Sequence, residues 1–259
     1  MILGYLQRGV AAGGVAGVFY GLYLAIVGNP LIEYMEGLAH ADHGHGDHGH
    51  SDHGHEAAAH GGHEHLVSET TTAVVSVGSG ILWGILLGAA FGVCFYLFEP
   101  SLPGTDRLKP YVLAGAGFLT VSVTPWLVLP PAAPGAEQAF GTDLRLGIYA
   151  GLMLVGAVVS VATIAGYRRL ESRGHHAVVA ATLALLPVAV MVLVVPNVTP
   201  TFVAPGEAPV DLVAAFQGTV ALSQAGLWGI VAGSYGWLHT RHGTSNSASE
   251  TSKSTGTGV

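Results

Sequence analysis

Apolar and polar positions along this chain separate into long blocks rather than into the mixed stripes of a soluble helix or strand. Six uncharged windows, at 9–28, 73–98, 110–129, 146–167, 177–195 and 212–238, alternate with polar connections. Each window approaches or exceeds the ~20 residues with which a helix crosses the hydrocarbon core of a bilayer. Lipid cannot satisfy open peptide groups, so such windows must close their hydrogen bonds within helices. The pattern predicts an all-α integral membrane protein with six transmembrane helices. Residues 1–29 hold the first helix, 30–72 a polar loop, 73–238 the other five helices, and 239–259 a Ser-, Thr- and Gly-rich tail expected to be disordered. The first window is longer than the apolar core of a cleaved signal peptide, and the nearest small-x-small site, Ala39-His40-Ala41, lies well beyond it. It reads as a retained helix.

Charge adds a direction to this pattern. Only 10% of the residues are charged, against about a quarter in a soluble domain. Arg8, Arg107, Lys109, Arg168, Arg169, Arg173, Arg241 and Lys253 all fall on one side of the predicted bundle, and Arg145 alone falls on the other. Basic residues mark the cytoplasmic face. The expected topology is therefore N-in/C-in, multi-pass in the cell membrane, with the loop 30–72 outside. That loop also carries Glu33, Glu36, Asp42, Asp47, Asp52, Glu56, Glu64 and Glu69, half of the 16 acidic residues. Such a distribution speaks against nucleic acid as a partner; lipid is the expected surroundings.

Within the loop, the stretch 40–65 holds ten of the 14 histidines. A five-residue unit repeats three times, as Asp42-His43-Gly44-His45-Gly46, Asp47-His48-Gly49-His50-Ser51 and Asp52-His53-Gly54-His55-Glu56. Imidazole nitrogen and carboxylate oxygen are donors for divalent cations, and glycine lets a backbone fold around an ion. The candidate metal ligands are His40, Asp42, His43, His45, Asp47, His48, His50, Asp52, His53, His55, His60, His63 and His65, with Glu33 and Glu36 near the membrane surface. Too few apolar residues surround them to build a core, so the loop is expected to be disordered without metal. Pro30 is expected to end the first helix, leaving Glu33 and Glu36 one turn apart if helix resumes.

The windows carry further signals. Gly9, Gly13, Gly17 and Gly21 in the first, and Gly80, Gly84, Gly88 and Gly92 in the second, recur at a four-residue spacing that lines one helix face. Such stripes allow close helix packing; a narrow permeation seam is the alternative. Thr120, Ser122 and Thr124 precede Pro125, which frees carbonyls for a kink or for an ion. Gln217 and Gln224, seven residues apart, share a face suited to interhelical hydrogen bonds. Two short echoes, Thr124-Pro125 to Pro130 with Thr199-Pro200 to Pro205, and Leu82-Trp83-Gly84-Ile85 with Leu227-Trp228-Gly229-Ile230, are too weak to establish an internal repeat. Arg145 is expected to snorkel or pair with Asp143, or to anchor an acidic residue such as Glu33. The single cysteine, Cys94, excludes a disulfide within the chain and a thiolate cluster. No Walker loop, His-Glu-x-x-His helix or nucleophile elbow is present, so no enzymatic activity is expected.

Pro30-Leu31-Ile32 followed by Glu36, the histidine segment 40–65, and the exit Leu129-Pro130-Pro131-Ala132-Ala133-Pro134-Gly135 together resemble the predicted cobalt transporter subunit family CbtA. Arg145 falls where members of that family tend to carry an arginine before the next helix. The likeness covers most of residues 1–170. It implies a membrane subunit of five or six helices that takes up cobalt for corrinoid synthesis, often beside a small single-helix companion bearing its own histidines. The family is usually described with five helices, against six windows here. Transport of Co2+ as substrate is the first reading, with Ni2+ or Zn2+ as the other ions, since imidazole suits all three. No tightly bound cofactor is expected. A membrane-anchored metal buffer or sensor without transport of its own is the alternative, and a hydrophilic linker is the plain one. In the transport reading the loop collects ions, and a rim of Glu33, Glu36, Pro125 and Arg145 selects among them.

Overall fold

A computed structural model describes residues 2–42, 69–134, 136–138, 141–199, 203–204 and 209–255. The described residues are almost wholly helical. Helix α1 (Ile2–Tyr23) passes through a π turn (Leu24–Gly28) into α2 (Asn29–Asp42), and α3 (Glu69–Phe98) returns beside it. A 3-10 turn (Glu99–Ser101) leads to α4 (Lys109–Phe118), a second π turn (Leu119–Val123) and the short α5 (Thr124–Trp126). Next come β1 (Glu137–Gln138), α6 (Thr142–Ser172), α7 (Ala177–Ala184), α8 (Leu186–Val198), β2 (Val203–Ala204) and α9 (Val210–Thr255). Four helical stretches are long and apolar enough to cross a membrane: Ile2–Leu38, Thr70–Ser101, Thr142–Ser172 and Ala177–Val198. The third window forms the shorter helical run Lys109–Trp126, which begins with Lys109 and contains Pro110 and Pro125, and Gln217, Thr219, Ser223 and Gln224 dilute the apolar character of α9.

The closest helix packing is between α1 and α3, which run antiparallel with their glycine stripes face to face. A methyl group added at Gly9 would strike the carbonyl oxygen of Gly88, and one at Gly13 the carbonyl oxygen of Gly84. At Gly17 the same atom would sit 2.7 Å from the Gly80 oxygen. The stripes are thus a packing seam, backbone against backbone, with no room for a side chain or for a permeating ion. Asn29 Nδ2 donates to Ser76 Oγ at 2.8 Å at the far end of this seam.

Helix α9 lies against α1 and α4. Its Trp228 ring fills the space over Gly117, while Leu227, Val231, Ala232 and Tyr235 are buried with Ala12, Ala16, Phe91 and Phe95. Of the two glutamines of α9, Gln224 binds across helices, its Nε2 donating to Tyr20 OH of α1 at 3.0 Å, whereas Gln217 Nε2 donates at 3.4 Å to the carbonyl of Pro131, which lies in the irregular segment after α5. Trp83, the counterpart of Trp228 in the sequence echo, is instead 47% exposed. Glu137 and Gln138, just beyond the first proline exit, pair antiparallel with Ala204 and Val203, which lie within the second echo segment.

Three expectations change. Pro30 does not end the first helix, which continues to Asp42. Proline supplies no N–H to the ladder, and the π turn before it, closed by Asn29 N–H on the Leu24 carbonyl, shifts the pairing so that the helix survives. The loop 30–72 is accordingly helical over 30–42 and again from Glu69; the part at 43–68 lies outside the described residues. Finally, 239–255 is not irregular but continues α9, since it holds no proline and a single glycine, Gly243.

The seam gives a paired test. Gly13→Ala should destabilise the protein by about 1–3 kcal/mol through overpacking. Gly14→Ala, whose methyl would meet only Ile85 Cγ1 at 3.9 Å, should be neutral or stabilise by up to ~1 kcal/mol through helix propensity. Reversible unfolding in mixed detergent micelles measures both.

Candidate metal-handling site

The metal-ligand candidates divide at Asp42. His43, His45, Asp47, His48, His50, Asp52, His53, His55, His60, His63 and His65 lie outside the described residues. Glu33 and Glu36 stand exposed on α2, with Met35 between them buried at 2% exposure. A spacing of three and then four residues puts positions 33, 36 and 40 on one helix face by register, and His40 and Asp42 close α2. Among the described residues no three His, Cys, Asp or Glu side chains converge on one point. The stretch Ile2–Leu38 contains 37 residues, about 55 Å of helix at 1.5 Å per residue, against a hydrocarbon core of about 30 Å. The helix is thus longer than one crossing needs, and Glu33 and Glu36 lie toward one end of it.

The proposed rim does not assemble as expected. Pro125 is fully buried, packed with α6 rather than facing an outer surface. Arg145 is half-exposed on the first turn of α6, and the ion pairs found among the described residues do not join it to Asp143 or to Glu33. What Pro125 organises is a polar junction inside the bundle. Thr124 N–H reaches back five residues to the Leu119 carbonyl, and Thr124 Oγ1 donates to the same oxygen at 2.8 Å. Pro125 has no N–H for the Val121 carbonyl, and Tyr149 OH donates to that oxygen at 2.5 Å. Ser160 Oγ donates to the Ala116 carbonyl at 3.2 Å and lies 3.3 Å from Thr120 Oγ1. Met191 Sδ stands 3.7 Å from Thr124 Oγ1. Gly156 lets α6 approach this turn, since a methyl there would lie 2.7 Å from Thr124 Oγ1. The carbonyls that a proline might have offered to an ion are thus engaged by side chains of the same bundle.

A second polar cluster, which the sequence did not single out, closes the basic end of the bundle. Tyr5 OH donates to Glu99 Oε2 at 2.7 Å, His239 Nε2 lies 3.4 Å from Glu99 Oε1, and Arg8 Nη1 lies 3.1 Å from His239 Nδ1. A guanidinium only donates, so Nδ1 accepts and the neutral ring carries its proton on Nε2, toward Glu99. Burial pushes the His239 imidazole down from its usual value more strongly than the Glu99 carboxylate raises it, and Arg8 pushes it further down. The cluster joins the start of α1, the end of α3 and α9. Phe95 and Tyr235 pack against it with ring centroids 4.9 Å apart, and the buried Tyr235 hydroxyl has no partner among the described residues. The signal in the sequence was the position of Glu99 and His239, each abutting an apolar window on the arginine-bearing side. Arg8 pointing at His239 makes this end a tie between helices rather than a cation site.

Tyr149→Phe isolates the repair at Pro125. It leaves the Val121 carbonyl short of a partner, so the protein should lose about 1–3 kcal/mol of stability, with little change in fold by circular dichroism.

No curated protein and no solved structure matches the chain. Over residues 3–240 it matches the family described as probable cobalt transporter subunit (CbtA). Nearly the whole described bundle, from the glycine seam to the His239 cluster, falls within that match, and the chain belongs to the CbtA family of probable cobalt transporter subunits.

Proposed function

We propose that this chain is the membrane subunit of a cobalt uptake transporter, in which the segment 40–65 gathers divalent ions outside and the helix bundle passes them inward. In this reading all six apolar windows cross the membrane and both termini of the chain face the cytoplasm. The observation that carries it is the first helix: one continuous rod from Ile2 to Leu38, too long for the apolar core alone, that holds Glu33 and Glu36 beyond the bilayer at the root of the histidine segment. Because α1 is locked to α3 along the glycine seam, the two helices joined by that segment form a rigid hairpin, and ions collected at its tip stay near a fixed part of the bundle.

Repeated Asp-His-Gly-His units suit collection more than discrimination, since imidazole takes cobalt, nickel and zinc alike. Glu33 and Glu36 on the helical stalk are the residues proposed to receive the ion next; Pro125 is removed from that role by its burial. The chain contains no phosphate-binding loop, so the driving force comes from another component or from an ion gradient. A small single-helix companion with its own histidines is the proposed partner.

Radiolabelled cobalt uptake into vesicles containing the full chain, alone and with such a companion, tests the reading. Saturable uptake in either arrangement supports transport. Its absence in both would leave the membrane-anchored buffer or sensor as the function. Deleting 40–65 should raise the cobalt concentration for half-maximal uptake by about an order of magnitude, ~1.4 kcal/mol of capture, while leaving residual uptake; complete loss would show that the segment does more than collect. A peptide spanning 40–65 should bind Co2+ at neutral pH and release it below about pH 6, because the ligating imidazole must be neutral.

A further inference from the structure

The polar cluster at the arginine-bearing end of the bundle holds a titratable ring between opposite charges on two different elements. His239 Nδ1 lies 3.1 Å from Arg8 Nη1 of α1, and His239 Nε2 lies 3.4 Å from Glu99 Oε1, in the turn that follows α3. Tyr5, Phe95 and Tyr235 surround the imidazole with ring centroids 5.8, 5.4 and 6.1 Å away, and the side chain is only 16% exposed. One ring thus joins α9 to α1 through one nitrogen and to the end of α3 through the other.

The two contacts respond to a proton in opposite ways. A guanidinium has donors and no acceptor, so the Arg8 contact exists only while Nδ1 keeps its lone pair. A proton on Nδ1 sets a second donor and a second positive charge against Arg8, while the same charge strengthens the bond to the Glu99 carboxylate. Tyr5 OH occupies Glu99 Oε2 and leaves Oε1 to the ring. From the segment leading into α4, Asp106 and Lys109 act on the ring with opposite sign and are paired with each other at 2.8 Å. Arg241, two residues on in α9, has its guanidinium 3.8 Å from the Trp237 ring. Burial pushes the imidazole down, Glu99 pulls it up less strongly, and Arg8 adds to the lowering. With the folded value depressed, the stability that the neutral ring contributes is present above the unfolded value of about 6.5. It is lost as pH falls through the folded value.

We propose that His239 is a proton-operated latch between helices: neutral, it ties α9 to α1 through Arg8; protonated, it releases Arg8 and is held by Glu99 alone. Acidification on this side of the bundle then removes the polar tie between the first turns of α1 and α9, and hands the end of the apolar part of α9 to the turn after α3. The release is confined to one end, because the glycine seam holds α1 to α3 and Leu227, Val231 and Tyr235 stay packed in the core. The buried Tyr235 hydroxyl, without a hydrogen-bond partner among the described residues, shows that the tied arrangement does not satisfy every group in it. The latch depends on the folded bundle alone and is independent of cobalt transport.

Hydrogen–deuterium exchange of the full chain in lipid nanodiscs, corrected for the intrinsic pH dependence of exchange, reads the latch at residues 6–9, whose amides bond within α1. Between about pH 8 and about pH 5, a window that spans the usual imidazole value, these amides should lose protection at least about tenfold, the weight of one hydrogen bond to a charged group. His239→Gln keeps an acceptor for Arg8 and a donor for Glu99 without a titrating group, so its protection should stay high at both pH values. That comparison also isolates His239 from the other histidines of the chain. His239→Lys, charged and donor-only, should show low protection at both. Nitrogen NMR of the ring, assigned by its absence from the His239→Gln spectrum, should show the proton on Nε2 at the higher pH, and Arg8→Gln should raise the titration midpoint. A proton on Nδ1 at the higher pH, protection independent of pH in the unmodified chain, or the same pH dependence in His239→Gln would each overturn the proposal.

Discussion

The glycine seam between α1 and α3 is the constraint on which the rest of the bundle depends. Lipid tails are as apolar as leucine, so two membrane helices gain little by burying large apolar side chains on each other; close backbone approach and dispersion must hold them instead. Eight glycines supply that approach, and a single methyl at Gly9 or Gly13 would meet a carbonyl oxygen of the facing helix. With these two helices fixed, α9 has a defined groove in which Leu227, Val231 and Tyr235 become buried. The same pairing brings Tyr5 and Arg8 of α1 beside Glu99, where they meet His239 of α9.

Proline inside a membrane helix poses a second physical problem, and the chain meets it in the same way twice. Pro30 and Pro125 each follow a π turn whose C-cap N–H reaches back to the first residue of that turn, Asn29 to Leu24 and Thr124 to Leu119. At Pro125 the bundle adds a side-chain donor, Tyr149, to the carbonyl that lacks an α-helical partner. At Pro30 the result is a helix that continues to Asp42 instead of a loop that begins at the proline. Glu33 and Glu36 are therefore carried on a helix.

Membrane character, the apolar windows and family membership were legible in the sequence because they rest on composition and short motifs. Apolar runs declare themselves residue by residue, and a four-residue glycine repeat marks a helix face wherever the helix lies. The interhelical bond of Gln224 was legible as a polar residue inside an apolar window, while Gln217 found a carbonyl in the proline-rich exit instead. The candidate site was legible only in its ligand types: Asp and His in repeated units identify donors for a cation, but contain no information about which rigid element holds them.

Tertiary structure alone decided the remainder. Whether Pro30 ends a helix depends on whether a neighbouring π turn can absorb the missing N–H, and whether Pro125 exposes a carbonyl depends on a tyrosine 24 residues away. The tie between Arg8, Glu99 and His239 joins residues as far as 231 positions apart. The sequence by itself determined the apolar windows of a membrane protein and the donor types of its candidate cation ligands, since those follow from side-chain chemistry at each position. Which groups face one another followed only from the glycine seam and the π turns, because hydrogen-bond partners and close packing are properties of helices brought together, not of residues in a row.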